Sequence, residues 1–192
     1  FDGIQSALFP DTAYVYESGG TPEAIPHLTY ESFIDQHKRH YALSNSYIIV
    51  YGDLHIDTML AFLDDAYLRE GAQAEKQQRE QRVAAGLEPL APNPLALQTA
   101  VVSPDVTITM DTAPENACMA LGYVIGESHE KTRVVATDLL FDAIMGSNEA
   151  PLKRALLDAG LASDAHGGVV DGLAQPFALL ELRGLNPDKA EA

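Results

Sequence analysis

The stretch of sequence that decides the fold class is residues 18–52, SGGTPEAIPHLTYESFIDQHKRHYALSNSYIIVYG. Thr29 precedes an amphipathic run, and its hydroxyl can accept a hydrogen bond from the free amides of a helix's first turn. Leu28 and Phe33 have the spacing of a hydrophobic staple, which fixes how the chain enters a helix. These signals predict a helix that begins at Thr29 and runs to about His40.

A strand signal follows this helix. Ser44-Asn45 is typical of a turn, and the next residues, 46–51 (SYIIVY), are apolar, β-branched and aromatic. Gly52-Asp53 ends the run. An apolar run of this length between turn residues predicts a strand in the interior of a sheet.

The same stretch resembles a segment of the pitrilysin/insulinase family of zinc metallopeptidases. Relatives carry Ser-Gly-Gly, then Ile-Pro and Leu-Thr, then a turn and a strand that ends in Tyr-Gly-Asp, and residues 18–53 carry these features in order. The similarity is greatest to the presequence-protease branch. A second stretch, residues 139–161 (LLFDAIMGSNEAPLKRALLDAGL), resembles a later segment of that branch. Two departures are Ala42-Leu43, where the family usually has His-Pro, and Glu149-Ala150, where a Ser is usual before Pro151.

The resemblance implies an α+β fold with two layers, in which an antiparallel or mixed sheet carries helices on one face (a pitrilysin-type module of the LuxS/MPP-like metallohydrolase type). It also implies two domains. Residues 1–86 would be the C-terminal part of a first peptidase module, and residues 87–192 the N-terminal major part of a second, non-catalytic module. Pro89, Pro92 and Pro94 mark the boundary between them. We therefore expect the chain to be a piece of a longer polypeptide, shortened at both ends.

Local patterns predict the remaining elements of the first lobe. Residues 4–9 form a short helix that Pro10 ends, because the residue before a proline is steered away from helical geometry. Asp57 caps a second helix, DTMLAFLDDAYL, whose apolar residues share one face. Residues 71–86, GAQAEKQQREQRVAAG, have no apolar stripe, which favours a linker with partial helix over an exposed helix.

In the second lobe, strands are followed by two helices and then by further strands. The predicted elements are strands over 97–102, 106–110 and 118–125, helices over 130–145 and from Pro151 to Gly160, and strands over 167–171 and 177–183. Ser103-Pro104-Asp105 turns the first strand into the second, and Gly146 ends the long helix. The apolar residues of that helix expected to face mostly inward are Val134, Val135, Leu139, Phe141 and Ile144. Helices segregated from an antiparallel sheet predict the α+β class.

The charge of the chain excludes some partners. Its 192 residues include 12 Lys and Arg against 28 Asp and Glu, a net charge of −16. Nucleic acids and anionic membranes would be repelled, so neither is expected as a partner. The charge would suit basic peptides, although solubility alone is the simpler explanation. No segment contains the roughly 18 consecutive apolar residues of a transmembrane helix.

The single cysteine, Cys118, allows no internal disulfide and gives no sign of an oxidising compartment. Together with the lack of a signal-like segment, this favours a cytoplasmic location. Cys118 lies in the apolar run CMALGYVIG, so we expect a small buried hydrophobic residue rather than a reactive thiolate.

Peptidases of the resembled family bind zinc through His-x-x-Glu-His and a later Glu, and the motif's own Glu activates water. The histidines of this chain stand in neither this motif nor its reverse: His27, His37, His40, His55, His129 and His166. In the family, the motif lies upstream of the Ser-Gly-Gly segment. The resemblance therefore implies no catalytic residue and no cofactor in this chain, with zinc in an upstream catalytic module of the longer polypeptide.

A different metal site is the alternative for two of these histidines. His37 and His40 are three residues apart on the predicted helix and could face one cation. Asp53, His55 and Asp57 could approach from beyond the following strand. A structural or solvated role is favoured for both histidines, because in the resembled family the histidine usual at His37 has no ligand role. The basic pairs Lys38-Arg39 and Lys153-Arg154 are interpreted as solvated helix faces.

The candidate site residues lie in two loops: Ser18, Gly19 and Gly20, and Ser147, Asn148 and Pro151. The resemblance implies that the first loop bends the chain between the catalytic part of the longer polypeptide and this part. It implies that the second loop shapes the surface of the module. Neither loop is expected to contact substrate.

The leading functional hypothesis is a non-catalytic portion of a zinc metalloendopeptidase that degrades short or unfolded peptides. In the resembled family, four homologous modules close around a peptide, so this portion would form part of the chamber wall. Its partners would be the remaining modules and the peptide substrates, and exposed apolar faces with an unpaired sheet edge would also allow a homodimer. The alternative is a structural or binding subunit from a catalytically inactive parent. An intact His-x-x-Glu-His upstream would favour the peptidase.

Overall fold

The computed structural model describes residues 2–91, 96–101, 106–186 and Lys189 of the chain. The α-helices are α1 (Asp2–Leu8), α2 (Tyr30–His40), α3 (Ile56–Leu63), α4 (Arg69–Ala84), α5 (Lys131–Met145) and α6 (Pro151–Asp158). The strands are β1 (Cys118–Val124), β2 (Ala162–Val170) and β3 (Phe177–Leu185). Single 3-10 turns lie at Ala13–Val15, Ile25–His27, Leu43–Asn45 and Pro114–Asn116, and a π-helical turn, Asp64–Leu68, joins α3 to α4.

The chain divides into two compact units. Unit 2 is the continuous segment Gly20–Pro94, and unit 1 comprises Phe1–Gly19 together with Leu95–Ala192. The chain therefore leaves unit 1 at a Gly-Gly pair and returns to it just after a proline-rich stretch. These units reflect contacts within this chain, and the division into modules at residues 86–87 stays a prediction.

Unit 1 is built on an antiparallel sheet. Within the described residues its strand order is β1-β3-β2, so β3 is central. On β3, Leu180 pairs with Leu121 of β1 on one side and with Gly167 of β2 on the other. α5 and α6 pack on β2, and a buried core forms between helices and sheet from Met145, Ala162, Ala165 and Leu182. The predicted α+β class is confirmed.

The opposite face of the sheet carries α1. A Cβ at Gly122 would lie 2.8 Å from side-chain atoms of both Ile4 and Leu8, so this glycine allows α1 to lie directly on β1. Gly122 pairs with Leu179 of β3, so these two residues point to the same face of the sheet. Leu180 follows Leu179 and therefore points to the opposite face. The helical layer expected on one face is thus joined by a short helix on the other.

A buried aromatic cluster follows α1, which ends before Pro10 as predicted. Phe9 and Phe177 are both fully buried, and their ring centroids are 5.9 Å apart. Tyr14 packs edge-on against Phe9, and its hydroxyl accepts a hydrogen bond of 3.1 Å from the backbone amide of Ala174. These contacts join the first residues of the chain to the β2–β3 connection.

Unit 2 begins with the helix that the sequence predicts. The hydroxyl of Thr29 accepts a hydrogen bond from the backbone N–H of Ser32, whose own hydroxyl accepts one from the backbone of Thr29, a reciprocal capping box. The helix ends at His40, as expected. Leu28 and Phe33, the predicted staple, are both exposed.

The long polar stretch after α3 is helical, so the predicted linker over residues 71–86 is wrong. α3, the π-helical turn and α4 run without a break from Ile56 to Ala84. Ala, Gln, Glu and Arg fill α4, and these residues have high helix propensity even without an apolar face. The predicted cap at Asp57 is also wrong: the N-cap is His55, which makes no side-chain capping bond.

The predicted interior strand over residues 46–51 is wrong for this chain. None of these residues is in a strand, and the exposed fractions of Tyr47 and Tyr51 are 98% and 100%. A strand needs a neighbouring strand to satisfy its backbone, and the described residues supply no partner for this segment. The apolar, β-branched composition therefore favours a strand, but no strand forms here because no partner strand is available among those residues.

The predicted hairpin is wrong for its described residues, since 97–101 and 106–110 form no strand. Its turn at 103–105, with residue 102, lies outside the described residues. The segment around Gln98 is instead held by the side chain of Gln175, which hydrogen-bonds the backbone of Gln98. Its backbone N–H donates to the Gln175 side-chain oxygen at 2.6 Å, and the Gln175 amide donates back to the Gln98 carbonyl at 3.1 Å. This side-chain pairing replaces a strand ladder.

β1 is a strand as predicted, and within the described residues it lies at an edge of the sheet. Cys118, its first residue, is exposed, so the expectation of a buried hydrophobic cysteine is wrong. α5 ends before Gly146 as predicted, and Val134, Phe141 and Ile144 face the interior. The other expected inward residues of α5, Val135 and Leu139, are exposed.

In the part of the chain that the structure describes, every helix is too short or too polar to cross a lipid bilayer.

Candidate functional site

The first candidate loop lies where unit 1 gives way to unit 2. The backbone N–H of Gly19 donates to the side chain of Glu17 at 2.9 Å. Gly20 has a φ of +84°, a left-handed conformation that favours glycine, and a Cβ there would meet Ile25 at 3.3 Å. The boundary between the units falls between Gly19 and Gly20. The role of Ser18, Gly19 and Gly20 as a bend between catalytic and non-catalytic parts stays a prediction.

The second candidate loop joins α5 to α6 and is largely exposed. The backbone N–H of Ala150 donates to the carbonyl of Ser147 at 3.0 Å, which closes a turn around Asn148. Pro151 occupies the first turn of α6, as predicted. Among the described residues no hydrogen bond joins this loop to the first one. Its role in shaping the module's surface stays a prediction.

A polar cluster near the start of β2 is marked by no local sequence pattern. Lys153 of α6 is 8% exposed, and its Nζ lies 3.2 Å from Oδ1 of Asp164. Nε2 of His166 lies 2.6 Å from Oδ2 of the same carboxylate. The pKa of Asp164 is held below its usual value by the hydrogen bond from the backbone N–H of Ala165 and by the Lys153 ammonium. The interpretation of Lys153 as part of a solvated helix face is therefore wrong.

The central strand extends this cluster across the sheet. Glu181 pairs in register with His166, and Arg183 with Asp164. The guanidinium of Arg183 donates to both carboxylate oxygens of Glu181, at 2.9 and 3.0 Å, which lowers the pKa of Glu181. Each carboxylate has a basic partner: Asp164 is paired with Lys153 of α6 and with His166 of its own strand, and Glu181 with Arg183 of its own strand, so the ion pairs connect α6 to β2.

In unit 2, a guanidinium near the end of α4 connects three segments. Arg82 donates to both carboxylate oxygens of Asp35 in α2, at 2.6 and 3.2 Å, and its Nε donates to the backbone carbonyl of Glu88. The hydrogen bond from Arg82 is the main reason that the pKa of Asp35 lies below its usual value. Asp35 and Arg82 are 47 residues apart, so no local sequence pattern marks the pair.

A second set of hydrogen bonds connects the turn at Ser44 to α4. The carboxylate of Glu75 accepts a hydrogen bond of 3.1 Å from the backbone N–H of Ser44 and one of 2.7 Å from Arg79. Unit 2 has few buried apolar residues, so these charge-assisted bonds position its helices.

The histidines considered for metal binding have other partners. The ring of His37 stacks on Tyr41 with centroids 4.4 Å apart, and Nε2 of His40 lies 3.1 Å from the Gln36 side-chain oxygen. Across the described ranges, no group of three His, Cys, Asp or Glu residues could hold a metal ion. The described residues therefore show no cluster suited to zinc, and no catalytic step is assigned to them.

A family model described as "Peptidase M16 inactive domain" matches residues 27–180. The chain belongs to the M16 peptidase family. The match includes α2, the whole of α3 to α6 and most of the sheet, and it carries the description of a domain without catalysis. It confirms the resemblance to the pitrilysin/insulinase superfamily and the non-catalytic character of this portion.

Two kinds of relative support this assignment. Protein HypA of Clostridium perfringens is 33% identical over 190 residues, covering 98% of this chain and 18% of that protein. The mitochondrial presequence protease of Danio rerio is 26% identical over 201 residues, again covering 98% of this chain and 18% of the relative. That of Mus musculus is 26% identical over 161 residues, with coverages of 84% and 15%. The chain thus spans less than a fifth of the length of these relatives.

Proposed function

We propose that this chain is a non-catalytic portion of a zinc metalloendopeptidase that degrades short or unfolded peptides, and that it forms part of the substrate chamber wall. The observation that carries the proposal is the match of residues 27–180 to an inactive domain of a peptidase family, with presequence proteases among the relatives. In this proposal the zinc lies in an upstream module of the longer polypeptide. The residues described above supply walls and contacts rather than chemistry.

The partners in this proposal are the remaining modules and the peptide substrates. The net charge of −16 would attract peptides rich in Lys and Arg and would repel nucleic acid. If steering by charge operates, the rate of capture of a basic peptide falls as salt screens the attraction. Residues 1–86 would complete the first module and residues 87–192 would form most of the second.

The Ser18–Gly20 loop would be the bend between the catalytic part of the longer polypeptide and this part. Gly20 has a positive φ, so Gly20→Val would strain the loop, whereas Gly172 lies in open space without a positive φ. Gly172→Val is therefore the matched control. In the full-length polypeptide, we expect Gly20→Val to lower peptide turnover and Gly172→Val to leave it nearly unchanged. Equal effects of the two changes would contradict the role of the loop.

The test of the proposed function is an assay of the longer polypeptide that contains this chain. We expect it to cleave a short unstructured basic peptide in a chelator-sensitive manner and to spare the same sequence inside a folded protein, because enclosure limits substrate size. Cleavage of both substrates at similar rates would contradict the chamber-wall role. An upstream reading frame without His-x-x-Glu-His, together with no turnover, would establish the alternative, a structural or binding subunit.

A homodimer of the chain is a further element of the proposal, supported by the exposed apolar side chains and the open sheet edge of unit 1.

A further inference from the structure

The chain reverses its direction directly after α4. The backbone N–H of Gly86 donates to the carbonyl of Val83 at 3.1 Å. The backbone N–H of Leu87 donates to the carbonyl of Arg82 at 2.9 Å. These two bonds form the Schellman motif, which places a left-handed residue just after a helix, and Gly86 has a φ of +64°. The turn at Gly86 therefore directs the next residues, 87–91, back along the helix.

Two arginines of α4 hold the returning residues by their backbone carbonyls. Arg82, near the end of the helix, donates from Nε to the carbonyl of Glu88. Arg79, one turn earlier, donates from Nη1 to the carbonyl of Leu90 at 3.5 Å. The later carbonyl is thus bound by the earlier arginine, so residues 87–91 run antiparallel to α4.

The carbonyl between these two is bound by an arginine of α2. Arg39 donates from Nε to the carbonyl of Pro89 at 3.4 Å. The backbone carbonyl of Arg39 accepts a hydrogen bond of 2.7 Å from the backbone N–H of Ala91. Successive carbonyls of an extended chain point to alternate sides, which explains why α4 and α2 bind them in turn. Residues 87–91 therefore form a strap between α2 and α4 that is held mainly by its main-chain atoms.

Two features limit how firmly the strap is held. Ala91 has a φ of +45°, a left-handed conformation that residues with a side chain rarely adopt, so the bound strap is strained. Leu90 anchors the strap and is 2% exposed, but a cavity of about 270 Å³ lies beside it and Leu87. Release would relieve the strain and break four hydrogen bonds that involve main-chain atoms. This balance favours local opening of the strap over unfolding of the whole unit.

The strap also determines the length of one of the two connections between the units. The chain enters unit 2 at the Gly19–Gly20 junction and returns to unit 1 just after residue 94. With the strap bound, the returning connection runs from Ala91 to residue 96, and such a segment of five residues spans at most about 18 Å. With the strap released, it runs from Gly86, and ten residues span at most about 36 Å. Release therefore doubles the reach of this connection.

We propose that the strap is a detachable restraint on the movement of the two units. Bound to α2 and α4, it keeps the returning connection short, and once released it lets the units rotate about the Gly19–Gly20 junction. Gly86 is the pivot of the strap, because its left-handed turn separates α4 from the first carbonyl that an arginine binds. The hydrogen bonds within α2 and α4 remain when residues 88–91 leave, so opening unfolds neither helix. The restraint is built from contacts within unit 2 and does not rest on the peptidase role.

The first test is native-state hydrogen exchange of the purified chain, followed by nuclear magnetic resonance. The Ala91 amide reports on the strap, because its hydrogen bond to Arg39 breaks when the strap opens. We expect it to exchange more slowly than the exposed amides of residues 47–51 and faster than amides in the middle of α4. Exchange as slow as in α4 would mean that the strap opens only when unit 2 unfolds. Exchange as fast as at 47–51 would mean that the strap is not held, and either result overturns the proposal.

Variants then identify what holds the strap. Arg39→Gln removes the bond to Pro89 but keeps the carbonyl that receives the Ala91 amide, so exchange at Ala91 should rise roughly tenfold. Leu90→Ala removes the apolar anchor and should raise it roughly thirtyfold, while amides in the middle of α4 keep their rates. The control is Arg69→Gln, an arginine of the same helix whose ion pairs lie in the π-helical turn, and it should change nothing at Ala91. Equal rates in Arg39→Gln and Arg69→Gln, or no change in Leu90→Ala, overturn the proposal.

The last experiment measures the movement that release allows. Spin labels are attached at Leu60→Cys in unit 2 and Leu139→Cys in unit 1, both exposed positions, with Cys118→Ser to remove the native thiol. We expect Leu90→Ala to broaden the distribution of distances between the two labels. An unchanged distribution in a Leu90→Ala chain whose Ala91 amide exchanges freely would overturn the restraint. None of these measurements uses peptide cleavage, so a negative result leaves the proposed function unaffected.

Discussion

Replacing Phe177 by alanine should strongly destabilise unit 1. Phe177 begins the central strand and is fully buried, and its ring packs against the equally buried Phe9 at a centroid distance of 5.9 Å. The neighbouring Pro176 is also fully buried, so the surroundings have little freedom to fill the space that the ring leaves. Phe177→Ala therefore removes one of the contacts that join the first residues of the chain to the sheet.

The size of the effect follows from the burial. Removal of a buried phenylalanine ring costs about 3–5 kcal/mol, because both transfer free energy and packing are lost. A unit of this size has a free energy of unfolding of about 5–15 kcal/mol, so the substitution removes a large part of it. With a urea dependence of about 2 kcal/mol per molar, the midpoint should fall by roughly 2 M.

Urea unfolding followed by circular dichroism, together with hydrogen exchange of the β3 amides, measures this loss in unit 1. The control is Leu139→Ala on α5, where an exposed side chain is truncated and the cost should stay within about 0.5 kcal/mol. A midpoint shift for Phe177→Ala no larger than that of Leu139→Ala would refute the assignment of Phe177 to the core.

Three further predictions concern the polar networks and the exposed strand-like segment. The pKa of Asp35 is lowered on folding, so its ionised form stabilises unit 2 fully above pH 3.8, and this stabilisation is lost as the pH falls through the lower folded pKa. Acid should therefore reduce the helicity of unit 2, and Asp35→Asn should remove this pH dependence. Lys153→Glu sets a carboxylate beside Asp164 and should lower the melting temperature of unit 1 more than Lys153→Met, which removes the ammonium but adds no like charge. Amides 47–51 should exchange rapidly with solvent in the monomer, while amides 178–182 exchange slowly.

Each of these predictions has a contrary outcome. An unchanged pH profile in Asp35→Asn would show that another group controls acid unfolding of unit 2. Equal thermal stability of Lys153→Glu and Lys153→Met would show that the ion pair with Asp164 does not stabilise unit 1. Slow exchange at 47–51 in a chain shown to be monomeric would mean that this segment pairs within its own molecule.

Local signals predicted the elements whose stabilising groups are close in sequence. The helix from Tyr30 to His40 was predicted because its N-cap, Thr29, lies next to its first turn, and α5 because Gly146 follows its periodic pattern. The α+β class and the family resemblance followed from such segments taken together. These parts of the fold depend on interactions that a short window of sequence contains.

Tertiary context decided the elements that were predicted wrongly. Residues 46–51 have the composition of an interior strand, but a strand exists only where a second strand pairs with it. The stretch 71–86 lacks an apolar face, yet Arg79 and Arg82 tie it to segments far away in sequence, so it is an ordered helix. Lys153 looked like a surface residue because its partner, Asp164, comes from a later strand. No pattern within one element contains this information.

The most direct test of the central claim is a cleavage assay of the purified chain with a short basic peptide, in excess zinc and again in chelator. The chain lacks His-x-x-Glu-His and matches an inactive peptidase domain, so we expect no turnover under either condition and no stoichiometric zinc by elemental analysis. Zinc-dependent cleavage that the chelator abolishes would contradict the account.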